Sequence, residues 1–168
     1  RAMLIAYEHH MKLDLTGYPR NKRSRQPTLF SRVVGVADGF DAATSKRSYQ
    51  SVPWPPDKVL QEMRDNPKRG YDPLLVKTLI NVMGVYPVGT VVILDTRELA
   101  VVVATNSNPR KLHQPQVRII YDELGMHLAE PTAVDLSEVD PRSGRPRRTI
   151  VKTTDADKYG IRVSDYFA

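Results

Sequence analysis

Apolar residues recur with the period of an α-helix through the first half of the chain. In TLFSRVVGVADGFDAATS they return every three or four positions, which predicts a helix over about residues 28–44. The opening run RAMLIAYEHH is also typical of a helix, and no capping residue precedes it. We therefore expect the parent protein to contain residues before Arg1.

Two shorter helices are predicted after the proline-rich break SVPWPP. The first lies in DKVLQEMRDN, with Asp57 in its first turn and Pro67 just beyond its end. The second lies in YDPLLVKTLINVMG, where Asp72 suits the N-cap, Pro73 the first helical position and Gly84 the stop. The helical part is therefore expected to extend to about residue 86.

The period of the pattern changes after this point. GTVVIL, LAVVVAT and QVRIIYD are short β-branched runs bounded by turn-forming residues, which is the pattern of hairpin strands. The final segment, KYGIRVSDYFA, is ambiguous between strand and short helix. The prediction is an α+β fold, with a helical domain over residues 1–86 and a small β-rich module, a barrel or a sandwich, over residues 87–168.

Composition narrows the possible chemistry. The 168 residues include no cysteine, so a metal would have to be bound by His, Asp or Glu, and a cytoplasmic location is expected. The longest apolar run, residues 99–104, is too short to insert into a membrane. The net charge of +6 favours anionic partners. The basic segments RNKRSR and RSGRPRR lack interleaved aromatic residues, so we interpret them as solvated loops and expect no nucleic-acid polymer as a partner.

Two adjacent histidines, His9 and His10, end the first helical run. Successive side chains of a regular helix point about 100° apart, so within a helix the two could not bind one atom. At a helix end they could address two neighbouring metal ions, as in two-metal hydrolytic sites. The alternative is a capping histidine beside an exposed one.

Two aspartates lie within the long predicted helix. Asp38 falls among apolar residues, where an unpaired carboxylate would be costly to bury, so we expect it to face a cation or a hydrogen-bond donor. Asp41 shares roughly the same face and could steady a neighbouring loop. Both could instead face solvent or pair with Arg32 and Lys46.

Three segments carry a resemblance to a known family. HHMKLDLTGYP, RVVGVADGFDAATSKRSY and GYDPLLVKTLI resemble, in this order, the second half of an HD-GYP domain, and YPVGTVVIL is similar to the β module that often follows such domains. The resemblance implies an all-helical domain that hydrolyses the bacterial second messenger cyclic di-GMP, or a related cyclic dinucleotide. It also implies two or three divalent metal ions, most often iron or manganese.

The resemblance assigns roles by position. It makes His9, His10 and Asp38 metal ligands. It implies that four residues bind the substrate: Gly17, Tyr18, Pro19 and Arg47. It also implies structural roles near the site for Asp14 and Asp41. The loop 17–19 is a candidate surface for other signalling proteins, and a homodimer is a further expectation. No residue is assigned as a catalytic acid or base.

The chain departs from the family pattern at several positions. Met11 stands where an acidic residue is usual, Leu15 where glycine is usual, and Gln50 where a basic residue is frequent. The family's upstream histidine and His-Asp pair have no counterpart in these 168 residues. His113 and His127 follow the motifs, so they cannot substitute by position.

Two functions follow from these observations. With the upstream ligands present in the parent protein, the chain is part of a metal-dependent cyclic di-GMP phosphodiesterase. Without them, three protein ligands are too few for a two-metal site, and the chain would be a cyclic di-GMP sensor or a protein-interaction scaffold. A nucleic-acid-binding module is a third class, supported by charge alone.

Overall fold

The computed structural model describes residues 1–20, 25–46 and 52–167. The chain forms two compact units, Arg1–Val82 and Met83–Ala168. Helices build the first unit and an antiparallel sheet the second, so the predicted α+β class is confirmed. None of the helices in the described residues is long and apolar enough to cross a membrane.

The helices of the first unit begin and end close to the predicted positions. The hydroxyl of Thr28 caps the long helix by accepting a hydrogen bond from the Ser31 N–H. The carboxylate of Asp72 accepts one from the Leu74 N–H at the start of the last helix. The helices are α1 (Ala2–Glu8), α2 (Leu29–Thr44), α3 (Pro56–Asp65) and α4 (Pro73–Met83), with a 3₁₀ turn at Pro67–Arg69.

A small apolar core holds these helices together. Val36 of α2 packs with Val59 and Met63 of α3 and with Val76 of α4, and all four are buried. This core fixes the side of α2 that faces α3 and α4, and thereby the direction in which the remaining faces of α2 point.

The second unit is one five-stranded antiparallel sheet with the strand order β4-β3-β2-β1-β5. The sequence indicates three of these strands, whereas the two edge strands were not predicted. The strands are β1 (Val91–Leu94), β2 (Leu99–Ala104), β3 (Gln116–Tyr121), β4 (His127–Asp135) and β5 (Ile150–Thr154).

The described strands form a single sheet with two edges, which differs from the expected barrel or sandwich. Both faces are nevertheless apolar: Val92 and Val102 point to one, Val91 and Val101 to the other. The second face is covered by the C-terminal segment around Ile161 instead of a second sheet. That segment forms two 3₁₀ turns, Ala156–Tyr159 and Val163–Tyr166, which resolves its ambiguity.

Candidate metal centre

His9 and His10 lie where α1 ends. The helix stops at Glu8, His9 is the C-cap residue, and the two imidazole centroids are 4.0 Å apart. The Nδ1 atom of His9 lies 2.9 Å from the carbonyl oxygen of Ala6. Because a carbonyl can only accept, Nδ1 is the donor of this bond, and Nε2 is the nitrogen through which a neutral imidazole would bind a metal. This is the arrangement by which a backbone carbonyl orients a metal-binding histidine.

Asp38 of α2 reaches the same place from the other side. Its Oδ2 atom lies 3.9 Å from Nδ1 of His10. Ligand atoms of His9, His10 and Asp38 all lie within 4.8 Å of one another, the one such group of histidine and acidic side chains in the described parts of the chain. Two ligands at about 2.1 Å from one ion can be up to about 4.2 Å apart, so the His10–Asp38 distance fits shared coordination.

The surroundings of Asp38 differ from the expectation. Its side chain is 40% exposed, and Val33 and Val34 of the same helix are exposed as well. The burial cost that led us to expect a partner is therefore small. What supports a cation at Asp38 is its position opposite two imidazoles, since carboxylate oxygen and neutral imidazole nitrogen are donors that divalent transition metals accept.

Two glycines allow other groups to approach α2 on either side of Asp38. A Cβ atom on Gly35 would lie 2.5 Å from the carbonyl oxygen of His9, so only glycine permits this contact. A Cβ atom on Gly39 would overlap the hydroxyl of Tyr71. The distance from α2 to the histidines is therefore determined by the contact of Gly35 with the main chain of His9.

A buried carboxylate fastens α1 to the start of α2. Glu8 is only 3% exposed, and its Oε2 atom accepts hydrogen bonds from the Thr28 N–H (2.9 Å) and the Ser31 hydroxyl (2.8 Å). Its Oε1 atom accepts from the Arg25 guanidinium. Burial raises the pKa of Glu8, but the hydrogen bonds from Thr28, Ser31 and Arg25 outweigh it and leave that pKa below its usual value. These hydrogen bonds hold Glu8 in place, and Glu8 directly precedes His9 in the chain.

The sequence reasoning did not identify Glu8. Its partners are some twenty residues away along the chain, and no short-range pattern connects them. The available signal was a charged residue inside an otherwise apolar helix, directly before two histidines.

The loop after the histidines folds back onto them. The N–H of Tyr18 donates to the carbonyl of His10 (3.3 Å), and the Tyr18 ring stacks on the His10 imidazole with centroids 4.6 Å apart. A Cβ atom on Gly17 would collide with the His10 carbonyl. Gly17 and Tyr18 therefore contact the candidate ligand His10, and their predicted role in substrate binding stays a prediction. Pro19 does not line the cavity beside the three candidate ligands.

Asp14 and Leu15 shape this loop. The carboxylate of Asp14 accepts from both the N–H and the hydroxyl of Thr16, which lowers the pKa of Asp14. Leu15 has a φ of +63°, in the left-handed region that favours glycine. The geometry accounts for the glycine that the family resemblance leads one to expect there.

A hollow of about 260 Å³, here called the metal hollow, opens beside the three candidate ligands. Its lining includes three cations, Lys12, Arg32 and Arg69, together with the carboxylates of Asp38 and Asp72. Arg32 forms an ion pair with Asp72, with Nη1 and Oδ2 2.7 Å apart, and therefore does not pair with Asp38. Cations around a metal-binding cluster are suited to an anionic ligand such as a phosphate.

The remaining predicted residues have different outcomes. Asp41 is exposed and accepts a hydrogen bond from the Ser45 hydroxyl at the end of α2. Arg47 and Gln50 lie outside the described residues, so their predicted roles stay predictions. Met11 is buried at the floor of the metal hollow and offers no oxygen or nitrogen ligand.

Comparison with known proteins shows which family this helical unit resembles. Residues 1–75 match the family model of the HD domain. A cyclic di-GMP phosphodiesterase of Pseudomonas aeruginosa is 29% identical over 146 residues, which is 87% of this chain and 33% of the relative. Residues 1–75 thus resemble an HD domain of the HD-GYP type. An HD domain implies divalent metal binding, which the donor set of His9, His10 and Asp38 fits.

Other relatives match over a shorter length of this chain. A 3'3'-cGAMP-specific phosphodiesterase of Vibrio cholerae is 36% identical over 76 residues, 45% of this chain and 14% of the relative. A cyclic di-GMP phosphodiesterase of Thermotoga maritima is 34% identical over 76 residues, 45% of this chain and 20% of the relative. The chain thus spans no more than a third of the length of these relatives. No solved structure shows significant similarity.

Proposed function

We propose that this chain contributes to a metal-dependent phosphodiesterase that hydrolyses cyclic di-GMP or a related cyclic dinucleotide in bacterial signalling. The observation that carries the proposal is the convergence of His9, His10 and Asp38 within 4.8 Å, beside a hollow whose lining includes Lys12 and Arg69. The relatives named as phosphodiesterases of cyclic dinucleotides support the same substrate class.

His9, His10 and Asp38 would hold part of a centre of two or three divalent ions, with iron or manganese as the expected metals. Such ions activate water as a nucleophile and stabilise charge on phosphate oxygens. The rest of the coordination sphere would come from upstream residues of the parent protein. Lys12 and Arg69 would bind the phosphate oxygens, and Tyr18 would hold the His10 ring by stacking on it.

A second function is favoured by one observation. Met11 is 9% exposed, lines the metal hollow and supplies no metal ligand at the position where the family resemblance leads one to expect an acidic residue. A chain with too few ligands would bind the cyclic dinucleotide without cleaving it. The alternative is therefore a sensor or an interaction scaffold, in which loop 17–19 is the proposed contact for a signalling partner.

The test measures metal content and turnover on the same sample. The full-length parent protein is purified anaerobically, its metals are quantified by elemental analysis, and hydrolysis of cyclic di-GMP is assayed. We expect two or more iron or manganese ions per chain with turnover, and we expect Asp38→Ala to lose metal and activity together. Asp65→Asn, an exposed change on α3, is the control that keeps both.

Two results would contradict parts of this proposal. A fully metallated Asp38→Ala protein would show that Asp38 is not a ligand. A wild-type protein that stays metal-free and inactive after reconstitution, yet binds cyclic di-GMP, would favour the sensor.

A further inference from the structure

A second hollow lies next to the metal hollow and shares part of its wall. Its volume is about 240 Å³, and Trp54, Glu62 and Met63 line its far side. Gly39, Arg69 and Tyr71 line both hollows. We call the second one the Trp54 hollow. Its volume is below the range typical of sites for drug-sized ligands, which suits a ligand portion the size of one nucleobase.

Trp54 gives this hollow an aromatic wall. Trp54 is 52% exposed and is therefore available to a ligand. A tryptophan side chain stabilises a protein most when it is buried, so this exposure is unusual. The N–H of Trp54 donates to the carbonyl of Ala43 (3.0 Å), which fixes its backbone against the end of α2. Stacking of a base on an aromatic side chain is a general mode of nucleotide binding that needs no particular base.

Glu62 adds a hydrogen-bond acceptor to the same hollow. Its Oε1 atom accepts from the Asn66 amide (2.8 Å) and from the Arg69 Nε–H (3.1 Å), whereas Oε2 takes part in neither bond. These bonds from Asn66 and Arg69 hold the pKa of Glu62 below its usual value, so the group is an acceptor at neutral pH. Guanine presents adjacent N1–H and N2–H donors to such a group. Adenine presents an acceptor at N1 and is not matched.

We propose that the Trp54 hollow binds a guanine base of the cyclic dinucleotide, with Trp54 stacking on the base and Glu62 accepting its N–H groups. The inference rests on the proposed function, because it seats the phosphate in the metal hollow and the base next door. Arg69 connects the two positions, since it lines both hollows and its Nε–H donates to Glu62.

The binding test uses the full-length parent protein, and the signal of Trp54 is the part of its tryptophan fluorescence that is absent from Trp54→Phe. Fluorescence is titrated with non-hydrolysable phosphorothioate analogues of cyclic di-GMP and of cyclic di-AMP, so that hydrolysis cannot interfere and bound metal is retained. We expect cyclic di-GMP to quench Trp54 at concentrations about tenfold or more below those needed for cyclic di-AMP, as expected for one well-placed pair of base contacts. Equal quenching by the two, or none, would overturn the assignment.

Variants separate the two contacts by calorimetry. Trp54→Ala should weaken cyclic di-GMP binding roughly 5- to 150-fold, the range of one lost base stack, whereas Trp54→Phe retains a ring and should lose much less. Glu62→Gln should reduce the preference for cyclic di-GMP over cyclic di-AMP by about tenfold. Phe30→Ala removes an exposed aromatic ring of α2 outside both hollows and should bind as the wild type.

Failure of this inference can be told apart from failure of the proposed function. If the full-length enzyme is metallated and active but Trp54→Ala and Glu62→Gln leave its KM unchanged, the guanine subsite is wrong and the hydrolase stands. If metal and turnover are absent while Trp54 reports guanine-selective binding, the subsite stands and the hydrolase is wrong.

Discussion

The buried carboxylate of Glu8 offers the sharpest test of how the candidate site is built. We consider Glu8→Gln, which keeps the shape of the side chain and removes its charge. The amide oxygen can replace Oε2 and still accept from Thr28 and Ser31, but the amide N–H groups then face the Arg25 guanidinium. The variant therefore retains two neutral hydrogen bonds and loses the ion pair.

The size of the effect follows from these contacts. A hydrogen bond to a charged group contributes about 1.5–3 kcal/mol and a neutral one about 0.5–1.5 kcal/mol, so two bonds lose about 2 kcal/mol together. The Arg25 side chain is 58% exposed and can turn toward water, so its lost pair adds about 0–1 kcal/mol. We expect Glu8→Gln to lower the free energy of unfolding of the helical unit by about 2–3 kcal/mol. Glu8→Ala, which leaves both buried donors unpaired, should cost more.

The assay is denaturant unfolding followed by the fluorescence of Trp54, which lies in the helical unit. Asp65→Asn removes a charge at the exposed end of α3 and should change the unfolding free energy by about 0.5 kcal/mol or less. A Glu8→Gln protein within the same margin would refute the idea that this carboxylate fastens α1 to α2.

Two further predictions concern the loop after the histidines and the sheet unit. Leu15 has a positive φ, which costs an L-residue about 1–2 kcal/mol. In thermal unfolding, Leu15→Gly should therefore be at least as stable as the wild type, and Leu15→Val should be less stable. The reverse order would contradict the idea that the backbone is strained at Leu15. Glu98 accepts two hydrogen bonds from Arg148, and these bonds lower the pKa of Glu98. The ionised Glu98 therefore stabilises the sheet unit above the unfolded pKa near 4.5. This stabilisation is lost as the pH falls through the pKa of the folded protein. Hydrogen exchange of β2 amides should therefore show a wild-type advantage over Glu98→Gln at neutral pH that shrinks in acid, and a pH-independent difference would count against this account.

The helices were predictable because their signals are local. Thr28 precedes α2 and caps it, and Asp72 and Pro73 mark the start of α4 as expected. Gly84 follows α4 with a φ of +78°, as a helix stop requires. Each of these positions can be recognised from a few neighbouring residues.

The edge strands were missed because their pattern is weak. Strand β4 contains Pro131 and is exposed along most of its length, so it lacks the apolar run that indicates β2 or β3. Strand β5 is only five residues long, and none of them is fully buried. Edge strands pack on one neighbour only, and the sequence needs fewer apolar residues there.

The candidate site was only partly predictable, because its residues are far apart in the sequence. The roles of His9, His10 and Asp38 came from a family resemblance, and no spacing rule joins residues thirty positions apart. The Trp54 hollow is also assembled from distant segments, since Trp54, Glu62 and Tyr71 come from a loop, a helix and the approach to another helix. Such contacts depend on helix packing, which short-range patterns do not specify.

The close approach at Gly39 has a consequence for how such a site can diversify. Gly39 adjoins Asp38 and is part of the wall between the two hollows, so displacing α2 would alter the candidate ligand geometry and the shape of the Trp54 hollow together. A change on α2 that reshaped the proposed base subsite would therefore also disturb the candidate metal ligands. The far wall, which carries Trp54 and Glu62, is not bound by this constraint. New substrate preferences would accordingly arise by replacement of side chains on that wall while α2 stays unchanged.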